Sequence, residues 1–166
     1  CMPGWIDLHV HLGQESNPKS YEERFRLDDI DFGYRALVYA DRTLKAGFTT
    51  VRNVGAGNWD DIALKAAIDG GKVPGPRIVP AGYSFGATGG HCDYTQFPPS
   101  IQKSAPAVAD GPDAIRAVVR TLRKHGAESI KFCATGGVFS KTDSVGGQQY
   151  SLEEMKALVE EAHMLD

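Results

Sequence analysis

Cysteine is scarce in this sequence. The three residues, Cys1, Cys92 and Cys133, are odd in number, far apart and form no CxxC pair. Neither a disulfide framework nor a cysteine zinc site is expected from them. No apolar run reaches membrane-spanning length, so no transmembrane helix is expected. Charge of one sign is not in excess either. The 18 Lys and Arg against 21 Asp and Glu leave a net −3, which excludes a broad electrostatic pull toward nucleic acid or an anionic membrane surface. No secretory signal pattern opens the sequence, and a reducing cytoplasm is the expected compartment. What is present is 166 residues, 42% apolar and 23% charged, the profile of a soluble globular chain long enough for one real core. The 19 glycines cluster in loops rather than in repeats.

The most informative stretch is Pro3-Gly4-Trp5-Ile6-Asp7-Leu8-His9-Val10-His11. A strand sends alternate side chains to opposite faces, so Asp7, His9 and His11 share one face and Ile6, Leu8 and Val10 the other. A strand buried in a parallel sheet is usually apolar on both faces. Burying two imidazoles is costly unless each finds a partner. A divalent metal satisfies two neutral imidazoles at once, with Asp7 behind them as a possible orienting group. The alternative is an edge strand whose polar face meets water.

The rest of the chain alternates strands and helices. A polar stretch from Gly13 to about Asp31, with Asn17-Pro18, reads as a solvated connection with room for a helical turn. Tyr34, Leu37, Val38 and Leu44 have helical spacing, closed by Lys45 and Gly47. Residues 48–54 read as a strand, Gly55-Ala56-Gly57 as a turn, and Asp60 as the N-cap of a helix over 61–69 stopped by Gly70-Gly71. Residues 77–82 form a third strand candidate, weakened by Pro80. A long loop from about Tyr83 to Asp110 has the length of a functional or disordered segment. Pro112 sits near the first turn of a helix with the stripe Ile115, Val118, Val119, Leu122, ended by Gly126. Residues 129–134 read as a fourth strand, and a polar loop runs on to Tyr150. Ser151-Leu152-Glu153-Glu154 is a capping box opening a last helix with the stripe Met155, Leu158, Val159, Ala162.

Four βα units imply a parallel sheet covered by helices. Either an open doubly wound sheet or part of a (β/α)8 barrel fits, and an intact barrel needs about 250 residues. The chain opens at Cys1 directly on a strand, and the last helical pattern still runs at Asp166. Both ends are therefore expected to be cut.

Lys131 alternates with Ile130 and Phe132 inside an apolar strand pattern. A buried ammonium is expensive, and such a lysine tends to lose its proton. The neutral amine can act as a nucleophile or add CO2 to become a carbamate that bridges two metal ions. Otherwise it is a lysine at a strand end that snorkels to water. His91 lies in a glycine-rich loop after the third strand, and in parallel α/β sheets such loops gather at the carboxyl edge where ligands bind. An ordinary loop histidine is the alternative. His125 and His163 lie toward helix C-termini, where the helix dipole favours positive charge, and both read as structural. Gly55-Ala56-Gly57 fails the dinucleotide fingerprint, because Asp60 occupies the third glycine position. Ser140-Lys141-Thr142 lacks the glycine that a P-loop needs, and neither Ser140 nor Ser144 has an adjacent histidine pattern marking a serine nucleophile.

With His9, His11 and Lys131 placed, the chain resembles the N-terminal half of an amidohydrolase-superfamily metal-dependent hydrolase. The matching stretches are residues 3–11, Leu44-Lys45-Ala46-Gly47-Phe48-Thr49-Thr50-Val51-Arg52, Thr88-Gly89-Gly90-His91-Cys92-Asp93 and Ile130-Lys131-Phe132-Cys133-Ala134-Thr135-Gly136-Gly137-Val138. They cover essentially the whole chain in the right order. The branch it is most similar to is the prolidase-like and Xaa-Arg dipeptidase or carboxypeptidase group. The resemblance implies an α/β fold, a partial (β/α)8 TIM barrel made of its first four β/α units. Residues 1–166 would be a single partial barrel domain, without the remaining strands or the flanking β-sandwich.

The resemblance also implies a binuclear divalent metal centre of the zinc type. His9 and His11 would bind the more buried metal, and Lys131, as an N-carboxylysine formed with CO2, would bridge both. His91 would contact the substrate or steady the tetrahedral intermediate. A metal-activated hydroxide would attack the amide carbonyl. Further histidines from the fifth and sixth strands and an aspartate from the eighth belong to the pattern and lie beyond this chain. The implied parent is a homo-oligomeric enzyme hydrolysing amide or peptide bonds of small molecules, dipeptides or N-acyl amino acids, and the isolated fragment would be inactive. Two rival readings stand beside it. One is a non-catalytic half barrel that binds metal or assembles edge to edge, and the other is a cyclic-amide hydrolase of the hydantoinase kind.

Overall fold

The computed structural model describes residues 1–138, 140 and 142–165. Lys141, in the stretch tested as a P-loop, and Asp166, where the last helical pattern still runs, lie outside the described residues. The elements are β1 (Trp5–Val10), α1 (Ser20–Arg26), α2 (Asp29–Lys45), β2 (Phe48–Asn53), α3 (Asp60–Asp69), β3 (Arg77–Pro80), α4 (Pro112–His125) and α5 (Leu152–Met164). They fall into two compact units, Cys1–Tyr83 with His125–Ser129, and Ser84–Lys124 with Ile130–Asp166.

The first unit holds a three-stranded parallel sheet in the order β1-β2-β3. Trp5 pairs with Phe48, Asp7 with Val51 and Val10 with Asn53, and Thr50 then pairs with Arg77 and Asn53 with Pro80. Parallel neighbours need crossover connections, and the helices between the strands supply them. The core of this unit is Leu12, Ala36, Ala40, Val51, Leu64 and Ile78. Ala36 and Ala40 stand four residues apart on α2, so their small side chains share one face of that helix. Val51 and Ile78, at 0% and 1% exposure, each contribute about 1.5–3 kcal/mol by leaving water. β1 differs from its neighbours: Trp5, Ile6 and Leu8 are all more than half exposed.

Two expectations are corrected here. The helical turn allowed for in the stretch before the second strand is α1, and α2 begins at Asp29, five residues before Tyr34 and inside the expected connection. Local charge pairing supports both helices. Glu22 meets Arg26 at 2.8 Å one turn on, Glu23 meets Arg35 at 3.0 Å, and the Asp31 carboxylate accepts the Asp28 backbone N–H at 3.0 Å. Helix α3 starts at Asp60 itself, not after it. Its N-cap is Trp59, which shares the left-handed conformation with Asn58.

In the second unit the fourth strand shortens to a single parallel bridge between Phe85 and Phe132. Phe85 directs its N–H and C=O to Lys131 and Cys133, whereas Gly86 directs its own to Ala107 and Ala109. Each ladder is thus one bridge long. The two remaining helices begin where the sequence places them. Pro112 opens α4, and the Ser151 hydroxyl accepts the Glu154 N–H at 3.2 Å at the start of α5. Ile115, Val119 and Leu122 are buried on α4, and Ala157, Leu158 and Glu161 on α5. The buried Glu161 carboxylate is met by Arg120 Nε at 2.5 Å and Arg116 Nη1 at 3.7 Å. A buried carboxylate requires such partners.

Candidate metal and substrate site

The alternation of β1 brings His9 and His11 to one face. Their ring centroids lie 5.6 Å apart and the planes are inclined at 66°. His11 is half-buried and His9 exposed. His11 Nδ1 lies 3.0 Å from the Gly55 carbonyl oxygen, which can only accept. Nδ1 therefore carries the hydrogen, and the basic lone pair of the neutral ring sits on Nε2. A ring N–H donated to a backbone carbonyl is the usual support of a metal-binding histidine. The Gly55 carbonyl also accepts from Asn53 Nδ2 at 3.3 Å. The Asp7 carboxylate accepts the His9 backbone N–H at 2.9 Å.

These residues fit a divalent ion. Two imidazoles bound to one tetrahedral ion at about 2.0–2.1 Å hold their centroids roughly 5 Å apart, close to the spacing found. Among the described residues no group of three or more His, Cys, Asp and Glu side chains is clustered for a metal.

The frame behind His11 was not singled out in the sequence. Asn53, at 1% exposure, uses its Oδ1 to accept the Leu12 N–H at 2.9 Å, and its Nδ2 donates to Asp61 Oδ2 at 3.2 Å. That same Asp61 oxygen accepts the N–H groups of Ala81 and Gly82 at 3.1 and 3.0 Å. Burial raises the Asp61 carboxyl above its ordinary range, opposed by these hydrogen bonds. The pair joins residues just beyond β1 and β3 to the end of β2. An asparagine ending a strand eight residues before an acidic helix start was the available signal.

His125 stacks on Trp59, with centroids 4.2 Å apart and planes 15° apart, and Trp59 meets Tyr83 edge-on at 4.7 Å. His163 is exposed in the last turn of α5. Both positions agree with a structural reading.

In the second unit, Lys131 is half-buried, and its carbonyl accepts the Phe85 N–H at 2.8 Å. His91 is exposed, yet it is held from several sides. Its Nδ1 lies 2.6 Å from Ser140 Oγ, and its backbone N–H donates to Gln149 Oε1 at 3.0 Å. Ser140, set aside for want of a nearby histidine, is therefore a histidine partner across 49 residues. Cys92 and Cys133 are joined in a disulfide, with Cα atoms 6.2 Å apart. This corrects the expectation drawn from cysteine spacing: 41 residues separate the two in sequence, and the fold alone brings them together. Cys1 is the free and exposed cysteine.

A family model described as the Amidohydrolase family matches residues 1–166. The chain belongs to this family. It is 31% identical over 177 residues to ochratoxinase of Aspergillus niger, covering 97% of this chain and 36% of that protein. The crystal structure of the A. niger ochratoxinase superposes with a TM-score of 0.84 at 28% identity, covering 98% of this chain and 41% of that one. A Xaa-Pro dipeptidase with methionine bound in its active site superposes with a TM-score of 0.90 at 38% identity, again over 98% and 41%. A prolidase complexed with N-methylphosphonate-L-proline gives 0.82 at 38% identity, with the same coverage. The chain thus spans about two fifths of the length of these relatives. Its mixed α/β architecture matches the N-terminal part of a TIM-barrel amidohydrolase. No helix among the described residues is long and apolar enough to cross a membrane.

Proposed function

We propose that this chain is the N-terminal part of a metal-dependent amidohydrolase that cleaves the amide bond of dipeptides or N-acyl amino acids. The observation carrying this reading is the His9–His11 pair, with the His11 tautomer set by the Gly55 carbonyl. The prolidase and Xaa-Pro dipeptidase among the similar structures support a peptide-like substrate.

In this reading His9 and His11 hold a divalent ion, with Zn2+ suited to imidazole donors. Lys131, as a carbamate, would supply further metal-binding oxygens. The ammonium would first lose one proton, and the neutral amine would then add to CO2 and release a second, leaving a carbamate with two donor oxygens. When bound, the metal supplies Lewis-acid polarisation and a water acidified toward neutral pH. His91 contacts the substrate or steadies the tetrahedral intermediate.

The test is metal analysis of the full-length protein together with hydrolysis assays on Xaa-Pro and Xaa-Arg dipeptides and N-acyl amino acids. About one to two equivalents of metal and turnover on at least one of these classes are expected. A metal-free protein without amidase activity would refute the reading. An intact-mass measurement on the metal-loaded protein, showing one added CO2 on Lys131, tests the carbamate separately.

A further inference from the structure

We propose that Ser140 is the positioning residue that orients the His91 imidazole for its work on substrate. The proposal rests on the reading of His91 given above and adds what holds its ring.

An exposed histidine on a glycine-rich loop would ordinarily sample several rotamers. Here Gly137, Ser140 and Gln149 bear on it. Ser140 Oγ engages Nδ1 at 2.6 Å, so Nε2 is the nitrogen through which the ring would meet a substrate. The Ser140 backbone N–H donates to the Gly137 carbonyl at 3.1 Å, which fixes the hydroxyl's own base. Gly137 lies directly against the His91 ring, and a Cβ built there would overlap the ring atoms. One face of the imidazole is thereby closed by backbone.

A second grip holds the histidine backbone. Gln149 Oε1 accepts the His91 N–H, and Gln149 Nε2 donates to Asp143 Oδ2 at 2.8 Å. Asp143 Oδ1 in turn accepts the Gly137 N–H at 3.2 Å. Asp143 therefore ties together the residue under the ring and the residue holding its backbone. The Cys92–Cys133 bond anchors the next residue of the loop. With the backbone set by Gln149 and the disulfide, the direction of the ring is the remaining variable, and among the described residues Ser140 makes the side-chain hydrogen bond to it. A hydroxyl can donate or accept, so it serves either tautomer, and its contribution is orientation.

The test compares Ser140→Ala and Ser140→Thr in the full-length enzyme. For Ser140→Ala, kcat should fall about tenfold with KM within about twofold and Tm unchanged, as expected for a misoriented catalytic group. Ser140→Thr, which keeps the hydroxyl, should restore most of the loss. Independently of turnover, modification of His91 by diethyl pyrocarbonate, followed by peptide mass spectrometry, should run several-fold faster in Ser140→Ala and return toward wild type in Ser140→Thr. Wild-type kcat and wild-type modification rate in Ser140→Ala would overturn the proposal. Equal losses in the two variants would overturn it too, because the hydroxyl would then not be the active element. His91→Asn separates the two layers. If it leaves hydrolysis intact while Ser140→Ala still exposes the ring to the reagent, Ser140 orients His91 but His91 has no part in the reaction.

Discussion

The Asp61 carboxylate meets the Asn53 carboxamide at 3.2 Å in the interior of the first unit, where both side chains are almost fully buried. Between them they satisfy the backbone N–H groups of Leu12, Ala81 and Gly82, and Asn53 also bonds the carbonyl that sets the His11 tautomer. A polar pair inside an apolar core thus joins the strand ends that carry the candidate site. Asn53→Ala should destabilise the protein by about 2–4 kcal/mol, because it leaves a carboxylate and a backbone donor buried without partners. Urea denaturation would read this as a lower midpoint at unchanged slope.

Asp60 should make stability depend on pH. Burial, then the nearby Asp29 and Asp61 charges, raise its carboxyl from 3.8 to about 6. The folded state therefore holds this proton more tightly than the unfolded state, and stability falls as pH rises from about 4 to about 6. The group is partly open to solvent, and the α3 N-terminus favours its charge, so the cost is about 1 kcal/mol rather than the full shift. Asp60→Asn should raise the melting temperature at pH 7 and leave it unchanged near pH 4. A variant equal to wild type at both pH values would remove Asp60 from the explanation.

The Cys92–Cys133 bond predicts that, of the three cysteines in residues 1–166, Cys1 alone is alkylated in the folded protein without reductant, and all three after reduction. Closing a loop of this length should be worth about 2–4 kcal/mol. Cys133→Ser should lower the denaturation midpoint accordingly. Peptide mass spectrometry after alkylation checks this directly, and label on Cys92 and Cys133 without reductant would contradict the bond.

His9→Ala and His11→Ala should each lower bound metal and reduce amide hydrolysis by at least about a hundredfold, the range set by loss of metal-supplied polarisation. Asn53 offers a milder counterpart. Asn53→Asp, which keeps an acceptor for Leu12 but loses the donors to Gly55 and Asp61 and sets two buried carboxyls together, should lower the denaturation midpoint as well as weaken metal affinity roughly tenfold to a hundredfold. Inductively coupled plasma mass spectrometry after dialysis against graded chelator separates the two classes. Unchanged metal content in His11→Ala would contradict the proposed site.

Patterns that depend on near neighbours were legible in the sequence. The two-residue period of Asp7, His9 and His11 predicts one shared face, and the rings do share it. Pro112 and the Ser151–Glu154 box mark helix starts that the structure keeps, and the βα order predicts a parallel sheet. These signals come from backbone geometry, capping and side-chain alternation, which act within a turn or two of the chain. Tertiary structure alone decided the rest. It joined Cys92 to Cys133 across 41 residues, set Ser140 beside His91 across 49, and turned Asn53 and Asp61 into a buried bolt. It also cut the expected fourth strand to one bridge, between Phe85 and Phe132. Each of these depends on which distant segments come together, and the cost of closing such loops is repaid by many contacts at once rather than by the residues that meet.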